Sequence, residues 1–518
     1  MNEPVPGQRI KILNDAARWI LLLLLAGLLI GRRDFAHLNL GDVWNTLHIT
    51  PPGFSSQFFV TETTLLALFP LALREARERF RHANGCGWLE KFSHAFGWGF
   101  CVPLTLIGWG ALHAVCAKFS GGDTYLIFRQ SALALYPIVF VYAYLFFGGD
   151  EKNTHFAMWG GVTAALLCAA LDSAGWLDPK LDANGLPPYG EWMPVYGQET
   201  LPIAILGLIY CTISASNWTV RGLAVAGVCL AGWRQGVRPM QSVVPIGMAG
   251  ALALIVSTGI LLAIFRRRAT LKRAAFCIAV FAVMGIGHRV LRAVSAKPEL
   301  PGTETSSEVK AWSLGQYSSL FDVYDRAQLP PDSASWMTAR RPPYIKVDDP
   351  EVYKLEAVFA ATSSVSVRNN MWRFLVWRRM FADWREGHSL VGAGVGKPWF
   401  YRALYQSAFH YGDDREGLDP HNSYLNTLYR YGAVGLALLL GAVLWTFLRA
   451  LKALRKNNGD PLLEGLLLYF GYTLVFACFT VSFEGPAYSM PFWMTMGLIY
   501  SRAQQLLGVQ PSGCTKTA

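Results

Sequence analysis

The sequence predicts an all-α polytopic membrane protein of about twelve transmembrane helices, with one long water-exposed segment late in the chain. Three observations carry this. Of 518 residues, 53% are hydrophobic and only 16% charged, whereas charged residues approach about a quarter of a soluble globular chain. Apolar runs near the roughly 20 residues needed to cross a bilayer core recur along the chain. The basic residues cluster beside those runs, as membrane orientation signals do. That placement also disposes of the formal net charge of +11 as a sign of nucleic-acid binding.

The expected spans are 18–31, 57–73, 93–117, 131–147, 156–171, 201–216, 220–234, 243–265, 273–290, 431–449, 462–482 and 488–503. The first follows Arg9, Lys11 and Arg18 like a signal peptide. With no clear small-residue cleavage site, it reads as an uncleaved first helix. Basic clusters at Arg74 to Lys91, Arg266 to Arg273 and Arg449 to Lys456 place those loops, and both termini, in the cytoplasm. The chain then divides into spans 1 to 9 in residues 1–291, an outer segment in 292–430, and spans 10 to 12 with a cytoplasmic tail in 431–518. In the outer segment, Pro298 to Val365 is rich in Pro, Ser and Thr and reads as loop or a small irregular subdomain, and Ser366 to Trp384 reads as a helix. None of the nine cysteines forms a CxxC pattern, so they suggest no metal.

Three features of the outer segment can carry chemistry. In DPHNSYLNTLYRYGAVG, Asp419 to Gly435, Asp419 suits an N-cap and Pro420 a first helical residue, which puts His421 in a first helical turn. The positive end of a helix favours neutral imidazole, the form a general base needs, while Asp419 opposes that effect. His421, Leu425, Leu428, Gly432 and Gly435 share one helical stripe, and the glycines allow another helix to approach. The plainer alternative is a histidine that anchors a helix end at the interface. The second feature is an arginine cluster: Arg368, Arg373, Arg378, Arg379, Arg385 and Arg402, with Lys397. Guanidinium forks match phosphate oxygens. The same cluster, interleaved with Trp372, Trp377 and Trp384, also fits an amphipathic helix on anionic headgroups. Both readings stay open. The third feature is LVGAGVGKPWF, Leu390 to Phe400, whose alternate glycines permit tight turns.

Together these resemble the O-antigen ligase and polymerase superfamily. His421-Asn422, nine residues, Gly432, two residues and Gly435 match its histidine signature, preceded by Arg368 and Trp372 in Arg-x-x-x-Trp and by Gly392-x-Gly394 after a hydrophobic residue. The resemblance covers roughly 235–505, and 298–365 is longer than the family pattern. It implies an inverting, metal-independent glycosyltransferase, without a cofactor, on the periplasmic face of a bacterial inner membrane. The donor would be a glycan on undecaprenyl diphosphate and the acceptor lipid A–core. The resemblance makes His421 and Arg368 catalytic and gives Arg368, Arg379 and one further arginine to the diphosphate. Arg221 fits the family's local setting, but Arg238 lies on the outer side and is preferred. Asp413, Asp414, Glu416 and Asp419 read as a solvated loop. The alternatives are a polysaccharide polymerase with a growing glycan as acceptor, a protein O-glycosylating ligase, and a transporter. Few charges fall inside the spans, Glu62 and His113 being exceptions without evident partners, and that weighs against a transporter.

Overall fold

The computed structural model describes residues 6–30, 60–163 apart from 84, 86, 123, 149, 161 and 162, scattered positions from 218 to 229, 365–396 apart from 388, and 422–508 apart from 479–482, 484 and 485. Among the described residues the regular structure is helical, without strands. The elements are α1 (Pro6–Ile30), α2 (Val60–His82), α3 (Trp88–Ala95), a 3₁₀ turn (Trp98–Phe100) leading into α4 (Cys101–Phe119), α5 (Thr124–Leu135), α6 (Ile138–Phe147), α7 (Val365–Gly387), α8 (Ser423–Lys456), α9 (Pro461–Phe476) and α10 (Pro486–Leu507).

Among the described residues, two stretches are long and apolar enough to cross a membrane, Trp98–Phe119 and Ser423–Lys456. At 1.5 Å per residue the first extends roughly 33 Å, and the part of the second beyond its break at Gly432 roughly 36 Å, against about 30 Å of hydrocarbon. A third arises if α5 and α6, bent by 42°, form one span. The bend falls at Pro137, which has no N–H to continue the helix; Val139 N–H instead bonds the Tyr136 carbonyl at 2.9 Å. Expected spans 201–216, 243–265 and 273–290 lie outside the described residues, as do most of 156–171 and 220–234. Other boundaries differ from expectation. The run at 93–117 divides, because Gly97 adopts φ +72° between α3 and the 3₁₀ turn. The span expected at 462–482 ends as helix at Phe476. The boundary at 430/431 falls inside α8.

Helix α10 is the centre of the bundle, packed on α6, α8 and α9. Trp493, Met496, Ile499 and Tyr500 are fully buried along it. The first helix belongs to this bundle, with Leu21, Leu24 and Leu25 buried. Glu62 and His113 do have partners. Tyr136 donates to the Glu62 carboxylate at 2.7 Å, and the His113 ring meets Trp109 and Tyr431 edge-on, with centroids 4.9 and 5.2 Å apart.

Basic side chains gather at one end. Arg18 donates to the Phe146 carbonyl and Arg79 to those of Leu145 and Gly148. These are the last carbonyls of α6, where the helix dipole is negative and attracts cations. Arg502 of α10, 7% exposed, bonds Asp460 at 2.6 Å and Glu151 at 2.9 Å. Lys456 reaches the Leu507 carbonyl at 3.0 Å. The basic clusters at 74–91 and 449–456 therefore share one end of the bundle, as the orientation rule requires of loops on one side. The cluster at 266–273 is outside the described residues.

Candidate functional site

The opposite end of α8 carries the signature. Its N-cap is Asn422, in an extended conformation, whose side chain accepts from Leu425 N–H at 2.9 Å. This corrects the expected cap at Asp419. Asparagine caps as well as aspartate, and the start at Ser423 is tied down from outside. Ser423 N–H donates to the Ala477 carbonyl at 2.9 Å, and Phe483 N–H donates to Ser423 Oγ at 3.2 Å. His421 thus immediately precedes the cap instead of lying in the first turn, and is itself outside the described residues.

The other half of the signature breaks the helix. Gly432 has φ 69° and ψ −172°, a conformation that other residues rarely adopt. A turn from the segment after α7 enters the break. Ala393 N–H bonds the Tyr429 carbonyl at 2.7 Å and Gly394 N–H that of Arg430 at 2.9 Å. In return, Ala433 N–H bonds the Ser389 carbonyl at 3.0 Å and Val434 N–H that of Leu390 at 3.2 Å. The Trp109 indole of α4 donates to the Tyr431 carbonyl at 3.1 Å. The Tyr429, Arg430 and Tyr431 carbonyls and the Ala433 and Val434 N–H groups are thus satisfied by neighbours, as an apolar setting demands.

Two backbones approach this closely only without side chains. A Cβ on Gly392 would lie 2.5 Å from Gly432 N, and one on Gly432 would lie 2.6 Å from Gly392 N. Gly392 and Gly394 also hold positive φ, 80° and 82°. The expected helix-to-helix approach at the signature glycines is replaced at Gly432 by this clamp. Gly435 is buried beside the side chains of Tyr431 and Trp109.

Helix α7 packs on α8 and buries Arg373, Val376 and Met380. Its Arg368, Trp372 and Arg379 are described as backbone alone, and Arg238 lies outside the described residues. An open groove of about 610 Å³ runs between α7 and the start of α8. Trp377, Arg378 and Phe381 form one wall, and Asn422, Leu425 and Leu428 the other. It continues past the kink to Leu436. Leu425 and Leu428 belong to the expected stripe, but the kink parts them from the glycines. Arg378 is exposed and is the cation on the groove wall. It was legible only as one member of a cluster, since neighbouring arginines on a helix differ by about 100° in direction. Nothing in the sequence signalled Trp109 as the partner of the kink. Among the described residues, no three His, Cys, Asp or Glu side chains gather as a metal site; Asp413, Asp414, Glu416 and Asp419 lie outside them.

No protein-family model matches this chain, and no curated protein is similar to it.

Proposed function

We propose that this chain is a multi-pass glycosyltransferase of about twelve spans in a bacterial inner membrane, transferring a glycan from undecaprenyl diphosphate to lipid A–core on the periplasmic face. One observation supports this reading above others. The separate pieces of the signature, Gly392-x-Gly394 and Gly432, meet in a backbone clamp on the helix that Asn422 caps. Pieces of an accidental sequence match have no reason to meet.

His421, beside the cap, removes the proton from the acceptor hydroxyl. The freed oxygen attacks the anomeric carbon from the face opposite the diphosphate, the bond to the diphosphate oxygen breaks, and the configuration inverts. Arg368, Arg238 and Arg379 receive the charge that develops on the departing diphosphate, as preorganised cations do best in a dry site. The apolar groove beside Asn422 suits a lipid-borne substrate, and its Arg378 adds a cation at the wall.

The test is a purified assay with lipid-linked donor and core acceptor. His421→Ala and His421→Gln should each lower turnover by about 10²–10⁴, the usual cost of removing a positioned acid–base group, and EDTA should leave wild-type turnover unchanged. Substantial turnover by the Gln variant removes His421 from the chemistry, and inhibition by EDTA removes the metal-free scheme. Lipopolysaccharide from a deletion strain separates the two transfer reactions. Intact core without polymeric bands supports ligation to core, whereas a single-repeat band assigns the chain to polymerisation.

A further inference from the structure

At the basic end of the bundle, Trp445, Arg449 and Lys452 stand on one face of α8, at spacings that bring side chains into line. Gly99 lies directly against the Trp445 indole, which brings the exposed Trp98 to the same place. Trp88 and Leu89 of α3 are also exposed, at 66% and 57%. Helix α3 is fixed there by Tyr144 and Tyr500, whose hydroxyls donate to the Ala95 and Phe96 carbonyls, each at 3.1 Å. Exposed indoles followed by cations are the pattern of a bilayer at headgroup depth.

Arg449 differs from Arg79 and Arg502. Arg79 is bound to Glu75 and to carbonyls, and Arg502 to two carboxylates. Among the described residues the Arg449 guanidinium makes a single bond of 3.3 Å, to Gln504, a neutral side chain. Its buried Nε has no hydrogen-bond partner among the described residues. Lys452, one turn further out, is exposed and in no ion pair among the described residues. A half-buried guanidinium with donors to spare, backed by an ammonium and flanked by indoles, is built to receive a phosphate diester. Forked donors favour that geometry, and the charge of each cation near an anionic leaflet adds to it.

We propose that Arg449 and Lys452, between Trp98 and Trp445, form a binding site for the phosphate of an anionic phospholipid in the leaflet at the basic end. The site rests on the membrane reading and not on the transfer chemistry. It lies at the far end of α8 from Asn422.

The purified full-length protein is equilibrated in nanodiscs with phosphatidylglycerol and phosphatidylcholine in equal amounts, and the lipid retained on release is measured by native mass spectrometry. Wild type should retain phosphatidylglycerol in preference. Arg449→Gln should lower that retention about tenfold, the scale of one lost charge-assisted hydrogen bond. Arg449→Lys should fall between the two, while Lys118→Gln, exposed and at the other end of α4, should match wild type. Glycan transfer by Arg449→Gln should equal wild type, so loss of the lipid site is distinguishable from failure of the functional reading. Equal retention of the two lipids, or undiminished retention by Arg449→Gln, overturns the site. Inorganic phosphate alone protecting the wild type from thermal unfolding as well as phosphatidylglycerol does also overturns it, since the ligand is then a free anion.

Discussion

The two ends of α8 are held by different chemistry. At the basic end the bundle is tied by side chains reaching across: Arg502 to Asp460 and Glu151, Arg79 to the carbonyls that end α6. At the signature end, beside the Trp109 and Ser423 side-chain bonds, the main tie is main chain to main chain, with the 389–394 turn exchanging four hydrogen bonds with 429–434. Long charged side chains tolerate ångström-scale error, because rotamers absorb it. Backbone contacts cannot, and they fix position in proportion. A site that must place a proton acceptor against a hydroxyl gains from the second kind of tie, whereas an end that only has to remain closed is well served by the first.

Substitutions should expose this contrast. Gly432→Ala is expected to have the largest effect, since a Cβ there overlaps the Leu390 carbonyl and the φ of 69° is strained for alanine. A strained residue costs about 1–3 kcal/mol, and weakening of the clamp bonds brings the expected loss to about 3–5 kcal/mol. Denaturant titration in detergent should register it, with glycan transfer abolished. If Gly432→Ala unfolds at the wild-type midpoint, the clamp contributes nothing. Gly394→Ala sharpens the reading, because a Cβ there meets open space and only the φ of 82° opposes it; its loss should stay near 1 kcal/mol.

Asp460→Ala should follow, at about 3 kcal/mol, because it deprives a buried guanidinium of a carboxylate. The same side chain caps α9 through Leu463 N–H at 2.8 Å. Here the activity that survives, measured per folded molecule, should match wild type. A proportional loss of activity would erase the distinction between the ends. Asn422→Ala is among the smallest changes, costing about 1 kcal/mol of helix cap. On the proposed chemistry its turnover should nevertheless fall further than its stability, since Asn422 adjoins His421 in the chain. Equal, slight losses in both would make Asn422 a cap alone.

Much of the helical character was legible, because apolar runs and basic flanks follow from the bilayer's own dimensions and field. Val365–Gly387 and Ser423–Lys456 fall close to their expected places. The cap was misplaced because Asp419-Pro420 and Asn422-Ser423 are both sound starts locally. What decides between them is Ala477 and Phe483, which reach Ser423 only after folding. The glycines were legible as a pattern but not as a contact, since one-dimensional spacing cannot tell a helix from a turn as the approaching partner. The burial of Arg373, one member of the arginine cluster, likewise depends on which way α7 is rolled.

The kink at Gly432 bears on how the protein is made. While α8 emerges from the ribosome, the segment 389–394 and Trp109 have already been synthesised, but nothing yet holds them in register. A lone α8 in lipid would leave the Tyr429, Arg430 and Tyr431 carbonyls bare if it were kinked, so it enters straight, with its ordinary ladder intact. The bend is then acquired on docking, when the turn and the indole arrive to take those carbonyls. In biogenesis the kink is thus a late event, and it marks the step at which separately inserted helices become one assembled protein.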